Sequence, residues 1–312
     1  MKIVMLEYSA VNHDDIDFSP YHALGEVIIY PRTAPEDIVS RIGDAEVVLI
    51  NKCVLSRDVM AACPNLSYIG VQATGYNVVD IAAARERGIV VTNIPAYSTP
   101  SVAQHTFALL LELTNHIALH NAAVQDGRWI TSPDFCFWDK SLTELADKTI
   151  GIVGFGQIGQ RVARIAEAFG MRVLAYGPHR RDSRMVDLNT LLAESDVITL
   201  HCPLTENTRE LIREETIRLM KPGVLLVNTA RGGLVNEGDL AQALAAGRVG
   251  GAALDVVSEE PMQPGNPLLH APNCIITPHI AWVPVEARRR LVSISLENLR
   301  AWMQGQPQNV VS

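Results

Sequence analysis

A chain of 312 residues that is 48% hydrophobic and 19% charged carries enough apolar material for about two folded domains, which excludes a disordered polymer. Its formal net charge of −8 argues against a nucleic-acid groove, which would show a basic excess. The five cysteines (Cys53, Cys63, Cys136, Cys202 and Cys274) are scattered without a C-x-x-C pair, so neither a disulfide framework nor a metal site is expected, and a reducing compartment fits.

The N-terminus meets an acid at Glu7, too early for a signal segment, and the apolar stretch near Phe107 to Leu113 contains Glu112 and is too short for a membrane span. The chain therefore reads as soluble and cytoplasmic, with no membrane partner.

In chain order, Lys2–Leu6, Glu26–Tyr30, Val47–Ile50, Ser67–Val71 and Ile89–Asn93 are Val- and Ile-rich runs that predict buried strands. Between them Pro35–Ile42 and Val79–Arg87 predict helices, the second stopped by Gly88. Pro95, Ser98 and Pro100 mark a break, and Ser101 is the expected N-cap of a largely apolar helix running to Leu119. After an irregular aromatic stretch (Phe135, Phe137, Trp138), a second strand–helix series opens at Lys148. Its predicted strands are Thr149–Val153, Arg172–Tyr176, Val197–Leu200, Leu225–Asn228, Gly251–Asp255 and Cys274–Thr277. A last helix, Val285–Met303, has no strand after it and is expected to return to the first domain.

The expected fold class is α/β, with two Rossmann-like domains, one flavodoxin-like and one dinucleotide-binding. Each has a parallel sheet, and a cleft lies between them. The expected boundaries are 1–98 plus 284–312 for a discontinuous substrate domain and 99–283 for the dinucleotide domain.

The run Gly-Phe-Gly-Gln-Ile-Gly places Gly154, Gly156 and Gly159 directly between an apolar strand and an amphipathic helix. In that context Gly154 makes the turn, Gly156 allows close approach of a pyrophosphate, and Gly159 permits the helix–strand contact. The helix N-terminus offers free N–H groups to the phosphates. A carboxylate that would bind the adenosine ribose is missing where the next strand ends, because Tyr176 runs into Gly177-Pro178-His179-Arg180-Arg181. Arg180 and Arg181 could instead pair with a 2′-phosphate, so NADP is expected over NAD.

Three polar groups follow the later strands: Arg231 in Thr-Ala-Arg-Gly-Gly, Glu260 in Ser-Glu-Glu-Pro and His279 in Thr-Pro-His-Ile-Ala-Trp. Together they suit the reduction of a 2-keto acid. A protonated His279 donates to the carbonyl oxygen as hydride arrives, and Glu260 fixes its tautomer. Arg231 grips the substrate carboxylate in a planar, two-point fashion.

These segments, with Gln-Ala-Thr-Gly-Tyr-Asn-Val-Val-Asp (72–80), Ile-Pro-Ala-Tyr-Ser-Thr-Pro-Ser-Val-Ala-Gln-His-Thr (94–106) and His-Cys-Pro-Leu-Thr (201–205), resemble the D-isomer-specific 2-hydroxyacid dehydrogenase family over essentially the whole chain. Closest in appearance is its glycerate dehydrogenase, or hydroxypyruvate reductase, branch. The resemblance implies an Arg231–Glu260–His279 triad. It also implies backbone contacts to the substrate carboxylate from Ala73, Thr74 and Gly75, near which Lys52 is the cation expected to bind substrate, and a cofactor site lined by Thr106, Gln157, Ile158, Pro203, Thr208, Thr229 and Asp255. It implies a homodimer as well, with Trp138 resembling an aromatic residue that some members send into the partner's active site. Gly177 departs from the aspartate common in NAD-using members. Hydroxypyruvate and glyoxylate are the expected substrates. The alternatives are another 2-hydroxy acid, such as phosphoglycerate, and a non-catalytic dinucleotide sensor that binds protein partners.

Overall fold

A computed structural model of the chain describes residues 1–178 and 182–312. It divides into two compact units, Met1–Ser98 with Trp282–Ser312, and Thr99–Ala281. No helix among the described residues is long and apolar enough to cross a membrane.

In the first unit the strands are β1 (Lys2–Met5), β2 (Glu26–Ile29), β3 (Val47–Ile50), β4 (Tyr68–Val71) and β5 (Val90–Thr92), joined by helices α1 (Tyr8–Val11), α2 (Ile38–Ile42), α3 (Arg57–Ala62) and α4 (Ile81–Glu86). All pairings are parallel, in the order β2-β1-β3-β4-β5, the flavodoxin-like arrangement. Alternate residues of each strand face opposite sides, so both faces need a cover. Val4, Val48, Ile50 and Ile69 pack with Ile42, Met60 and Ala83 of the connecting helices. Ile3, Met5, Leu49 and Tyr68 pack with Ala287, Leu291 and Leu299 of the long C-terminal helix. Gly88 has a φ of 71° and closes the turn that follows α4, the left-handed stop that glycine adopts without a Cβ penalty.

Six strands form the sheet of the second unit among the described residues: β6 (Thr149–Val153), β7 (Arg172–Tyr176), β8 (Val197–Leu200), β9 (Val224–Asn228), β10 (Val249–Leu254) and β11 (Cys274–Ile276). Its helices are α5 (Thr99–Asn115), α6 (Ile117–Gln125), α7 (Gln157–Ala168), α8 (Leu188–Glu194), α9 (Glu214–Ile217) and α10 (Glu237–Ala245), and α11 (Val285–Met303) then closes the first unit. The sheet order is β11-β10-β9-β8-β6-β7, again all parallel. Order reverses between β6 and β8, which is where open α/β sheets leave a crevice for ligands. One face is covered by Phe107 and Leu110 of α5 with Val162 and Ala166 of α7, the other by Leu191, Leu240 and Leu244.

Two sequence expectations fail around α5. The helix begins at Thr99, not after a Ser101 cap, since Pro100 falls in the first turn, whose N–H groups lack intrahelical partners anyway. It also stops at Asn115 instead of continuing to Leu119. His116 takes a φ of 48°, and the Asn115 side chain donates back to Leu111 O (3.2 Å) while Glu112 Oε1 accepts the Ala118 N–H (3.2 Å) that opens α6. Side chains that satisfy carbonyls and amides locally compete with the helical ladder. Beyond α11 the tail is not free either: Val310 bridges Thr92, and the Val311 N–H donates to Val91 O at 2.9 Å.

Candidate active site

Strands β9, β10 and β11 lie side by side, and their register sets Asn228, Leu254 and Ile276 in one row. Arg231, Glu260 and His279 all come from the loops just beyond that row. His279 Nδ1 lies 2.6 Å from Glu260 Oε2, and the Val257 N–H reaches Glu260 Oε1 at 3.3 Å. With Nδ1–H donating to the carboxylate, Nε2 is the nitrogen left for proton exchange.

The Arg231 turn is built by two neighbours. Buried Asn228 donates from Nδ2 to Arg231 O (2.9 Å) and accepts the Ala230 N–H on Oδ1 (3.0 Å). A Cβ on Gly232 would stand 1.9 Å from Val257 C and 2.3 Å from Ser258 N. Only glycine therefore lets the turn after β9 lie on the turn after β10. Glu237, in the first turn of α10, secures that second turn by accepting the Ser258 N–H (2.7 Å) and hydroxyl (2.8 Å). The exposed Arg231 guanidinium donates to Ala230 O (2.7 Å) and forms no salt bridge among the described residues. Its charge is available to an anion.

At the other end of the sheet, β6 runs into Gly154, with a φ of 98° and a Cβ position 2.4 Å from Cys202 N. A Cβ on Gly159 would meet Gly154 O at 2.2 Å, whereas one on Gly156 would meet nothing within 4 Å among the described residues. Gly156 is also the N-cap of α7 and makes no side-chain cap. Open space above Gly156 and an uncapped helix terminus suit a pyrophosphate, with Gln157 and Ile158 opening the helix beside it. On neighbouring loops and α5, the Thr106 and Thr229 hydroxyls are 3.1 Å apart, the Thr208 hydroxyl donates to Pro203 O (2.7 Å), and Asp255 is buried at the end of β10.

Gly177 follows β7, and among the described residues the nearest atom to its Cβ position is Phe155 N at 3.4 Å. The next acid, Asp182, is claimed by Arg184 (Oδ1–Nε 2.8 Å, Oδ2–Nη2 2.7 Å), and that guanidinium beside it holds its carboxyl down at about 2. Arg180 and Arg181 lie outside the described residues.

The predicted substrate contacts Lys52 and Ala73–Gly75 belong to the first unit, after the ends of β3 and β4. Glu7 Oε2 accepts the N–H groups of Asn51 (2.8 Å), Lys52 (2.7 Å) and Cys53 (2.7 Å), a backbone anion nest filled by the protein's own carboxylate. The Ala73–Gly75 loop is tied to Ile94, whose N–H donates to Ala73 O (2.9 Å) and whose carbonyl accepts the Thr74 hydroxyl (2.8 Å). Trp138, in the second unit, is 66% exposed.

A family model for the NAD-binding domain of D-isomer-specific 2-hydroxyacid dehydrogenases matches residues 107–281. A hydroxypyruvate reductase of Blautia hydrogenotrophica is 49% identical over the full length of both chains, 100% of each. The chain belongs to the D-isomer-specific 2-hydroxyacid dehydrogenase family. A glycerate dehydrogenase of Methylorubrum extorquens is 42% identical over 99% of this chain and 98% of its own. Among solved structures, an acyclic imino acid reductase (Bsp5) in complex with NADPH and D-Arg superposes with a TM-score of 0.86 at 29% identity, covering 100% of both chains.

In this dehydrogenase the residues that hold the loops, Asn228 and Glu237, are ones that sequence pattern alone misses. Their partners are 2 to 29 positions away in the chain, and only the glycine after Arg231 gives any local hint of the close approach it permits.

Proposed function

We propose that the protein reduces a small, unphosphorylated 2-keto acid, hydroxypyruvate or glyoxylate, to its D-2-hydroxy acid with NADPH. The observation that carries the reading is the 2.6 Å Glu260–His279 contact on the same sheet edge as an unneutralised Arg231. The names of the two curated relatives support the substrate class.

The nicotinamide, when bound, supplies hydride to C2 of the keto acid. As the C=O π bond opens, His279 Nε2 gives its proton to the carbonyl oxygen, and the ring ends neutral with Nδ1–H still on Glu260. Oxidation is the reverse, with the Nε2 lone pair taking the hydroxyl proton. Arg231 binds the carboxylate and stabilises the charge that grows on the oxygen. The family resemblance assigns Lys52 and the Ala73–Gly75 backbone to substrate binding as well. Thr106, Gly154, Gly156, Gln157, Ile158, Gly159, Pro203, Thr208, Thr229 and Asp255 line the cofactor site.

Two observations support the finer choices. Gly177 leaves the end of β7 without a carboxylate to repel a 2′-phosphate, which favours NADP. The nest at 51–53 is already filled by Glu7, so a phosphate finds no open cradle beside Lys52. The protein acts as a homodimer through the 117–142 segment, where Ile117, Ile130, Phe135, Trp138 and Leu142 are all more than half exposed.

Oxidation of NADPH and NADH is followed with hydroxypyruvate, glyoxylate and phosphohydroxypyruvate in turn. Higher kcat/KM with NADPH and with the unphosphorylated acids is expected; preference for the phosphorylated acid or for NADH overturns the corresponding choice. Sedimentation at micromolar concentration is expected to give a dimer that Ile130→Glu with Phe135→Glu converts to monomer, and a wild-type monomer contradicts the assembly.

A further inference from the structure

His279 stands in the left-handed region, with a φ of 55°, which a residue bearing a Cβ adopts only when its surroundings hold it there. Its own N–H closes a tight turn onto Thr277 O (2.9 Å). Three further contacts of this turn converge on one carboxylate. Asp255 Oδ1 accepts the Thr277 hydroxyl (2.6 Å) and the Ile280 N–H (2.8 Å), and Oδ2 accepts the Ala281 N–H (2.8 Å). The residues on both sides of His279 therefore hang from a side chain that is 1% exposed. Burial pushes the Asp255 carboxyl up, but His105, Thr277 and the two amides outweigh it and keep the carboxyl below its ordinary value.

A fourth group completes the arrangement. His105 Nε2 on α5 is 3.1 Å from Thr277 Oγ1 and 3.4 Å from Asp255 Oδ1. Since the single hydroxyl hydrogen of Thr277 goes to Asp255, its oxygen must accept, and His105 carries a proton on Nε2.

We infer that His105, Thr277 and Asp255 form a brace of positioning residues, which sets the direction of the His279 ring by fixing the backbone turn that carries it. The inference rests on the reading of His279 as the acid and base. None of the three needs to touch the reacting atoms for this role. The brace also gives the strained turn a function: a rigid left-handed corner aims the imidazole at one point, where an extended loop would let it swing.

The test uses the intact enzyme and Thr277→Val, which keeps the shape and deletes the hydroxyl, beside Thr277→Ser, which restores it. Alongside kcat and KM, reduced-cofactor fluorescence gives Kd, and the rate of diethyl pyrocarbonate modification at His279, read by peptide mass, reports the ring's presentation. For Thr277→Val the expected results are a fall in kcat of about tenfold, KM and Kd within about twofold, and a changed His279 modification rate. Thr277→Ser is expected to recover kcat to within about twofold of wild type. His105→Gln, remote from the turn's backbone, serves if Thr277→Val does not fold, and is expected to lower kcat in the same sense. Unchanged kcat in either variant, a loss confined to KM or Kd, or an equal loss in Thr277→Ser overturns the brace. Wild-type turnover in His279→Ala overturns instead the reading on which it rests, so the two failures are distinguishable.

Discussion

Replacing Gly156 by alanine separates cofactor binding from folding. A Cβ there meets no atom of the described residues within 4 Å, and the residue's φ of −78° and ψ of −160° are open to any amino acid. The loss of a glycine N-cap costs roughly 0.5 kcal/mol, and the stiffer unfolded chain returns roughly 0.4–1 kcal/mol, so the free protein's stability should hardly move. Gly154→Ala is the contrasting case. Its φ of 98° adds roughly 1–3 kcal/mol of strain, and the 2.4 Å approach to Cys202 N is to backbone that must shift, adding roughly 1–3 kcal/mol. At roughly 2–4 °C per kcal/mol for a unit of this size, Gly154→Ala should lower Tm by roughly 4–24 °C. Thermal melts and reduced-cofactor fluorescence titrations on the same samples give both quantities. Gly156→Ala is expected to melt within about 2 °C of wild type, yet to bind NADPH at least tenfold more weakly, about 1.4 kcal/mol. An unaltered Kd would refute the assignment of the space above Gly156 to a phosphate, and a large Tm loss would refute the claim that this space is empty of protein.

Glu260→Gln keeps a hydrogen-bonding group at His279 Nδ1 but removes the charge. A hydrogen bond to a charged group is worth about 1.5–3 kcal/mol, so kcat should fall roughly ten- to a hundredfold in steady-state assays, and an unchanged kcat counts against the pair. Gly177→Asp places a carboxylate at the end of β7 and should shift the kcat/KM ratio toward NADH by at least tenfold; no shift means that nucleotide choice is made elsewhere. His201 supplies a pH dependence. Burial depresses its imidazole from 6.5 to about 3, and its Nδ1 is shielded without a partner among the described residues. The unfolded chain binds this proton below 6.5 and the folded chain does not. The contribution is therefore complete above that pH and is lost on acidification, at up to about 1.4 kcal/mol per pH unit. Urea melts between pH 7 and pH 5 should show that His201→Gln flattens this limb, and parallel wild-type and variant slopes would exclude it.

Much of this molecule could be read from local pattern. Strands such as Val47–Ile50 and Val197–Leu200 are short apolar runs between turn formers, and burial on both faces leaves them few alternatives. The glycine loop was legible because strand, turn and helix signals fall within a dozen residues. The break at His116 was not, since it depends on Glu112 capping the next helix instead of on any helix-breaking residue. Nor could spacing pair Glu7 with the amides of residues 51–53 or Asp255 with the His279 turn. Those contacts form only once parallel strands place their C-terminal ends side by side. The sequence therefore exposed the groups proposed to do chemistry, while the groups that aim them became visible only in three dimensions.

The central claim is that His279 exchanges the proton while Arg231 holds the substrate. Its most direct test is NADPH-dependent reduction of hydroxypyruvate by wild type beside His279→Ala, with cofactor Kd measured on both. Turnover by wild type and a loss of at least a hundredfold in kcat for the variant, at a Kd within about twofold, are expected. Equal turnover by the two proteins, or an inactive wild type that still binds the cofactor, would contradict it.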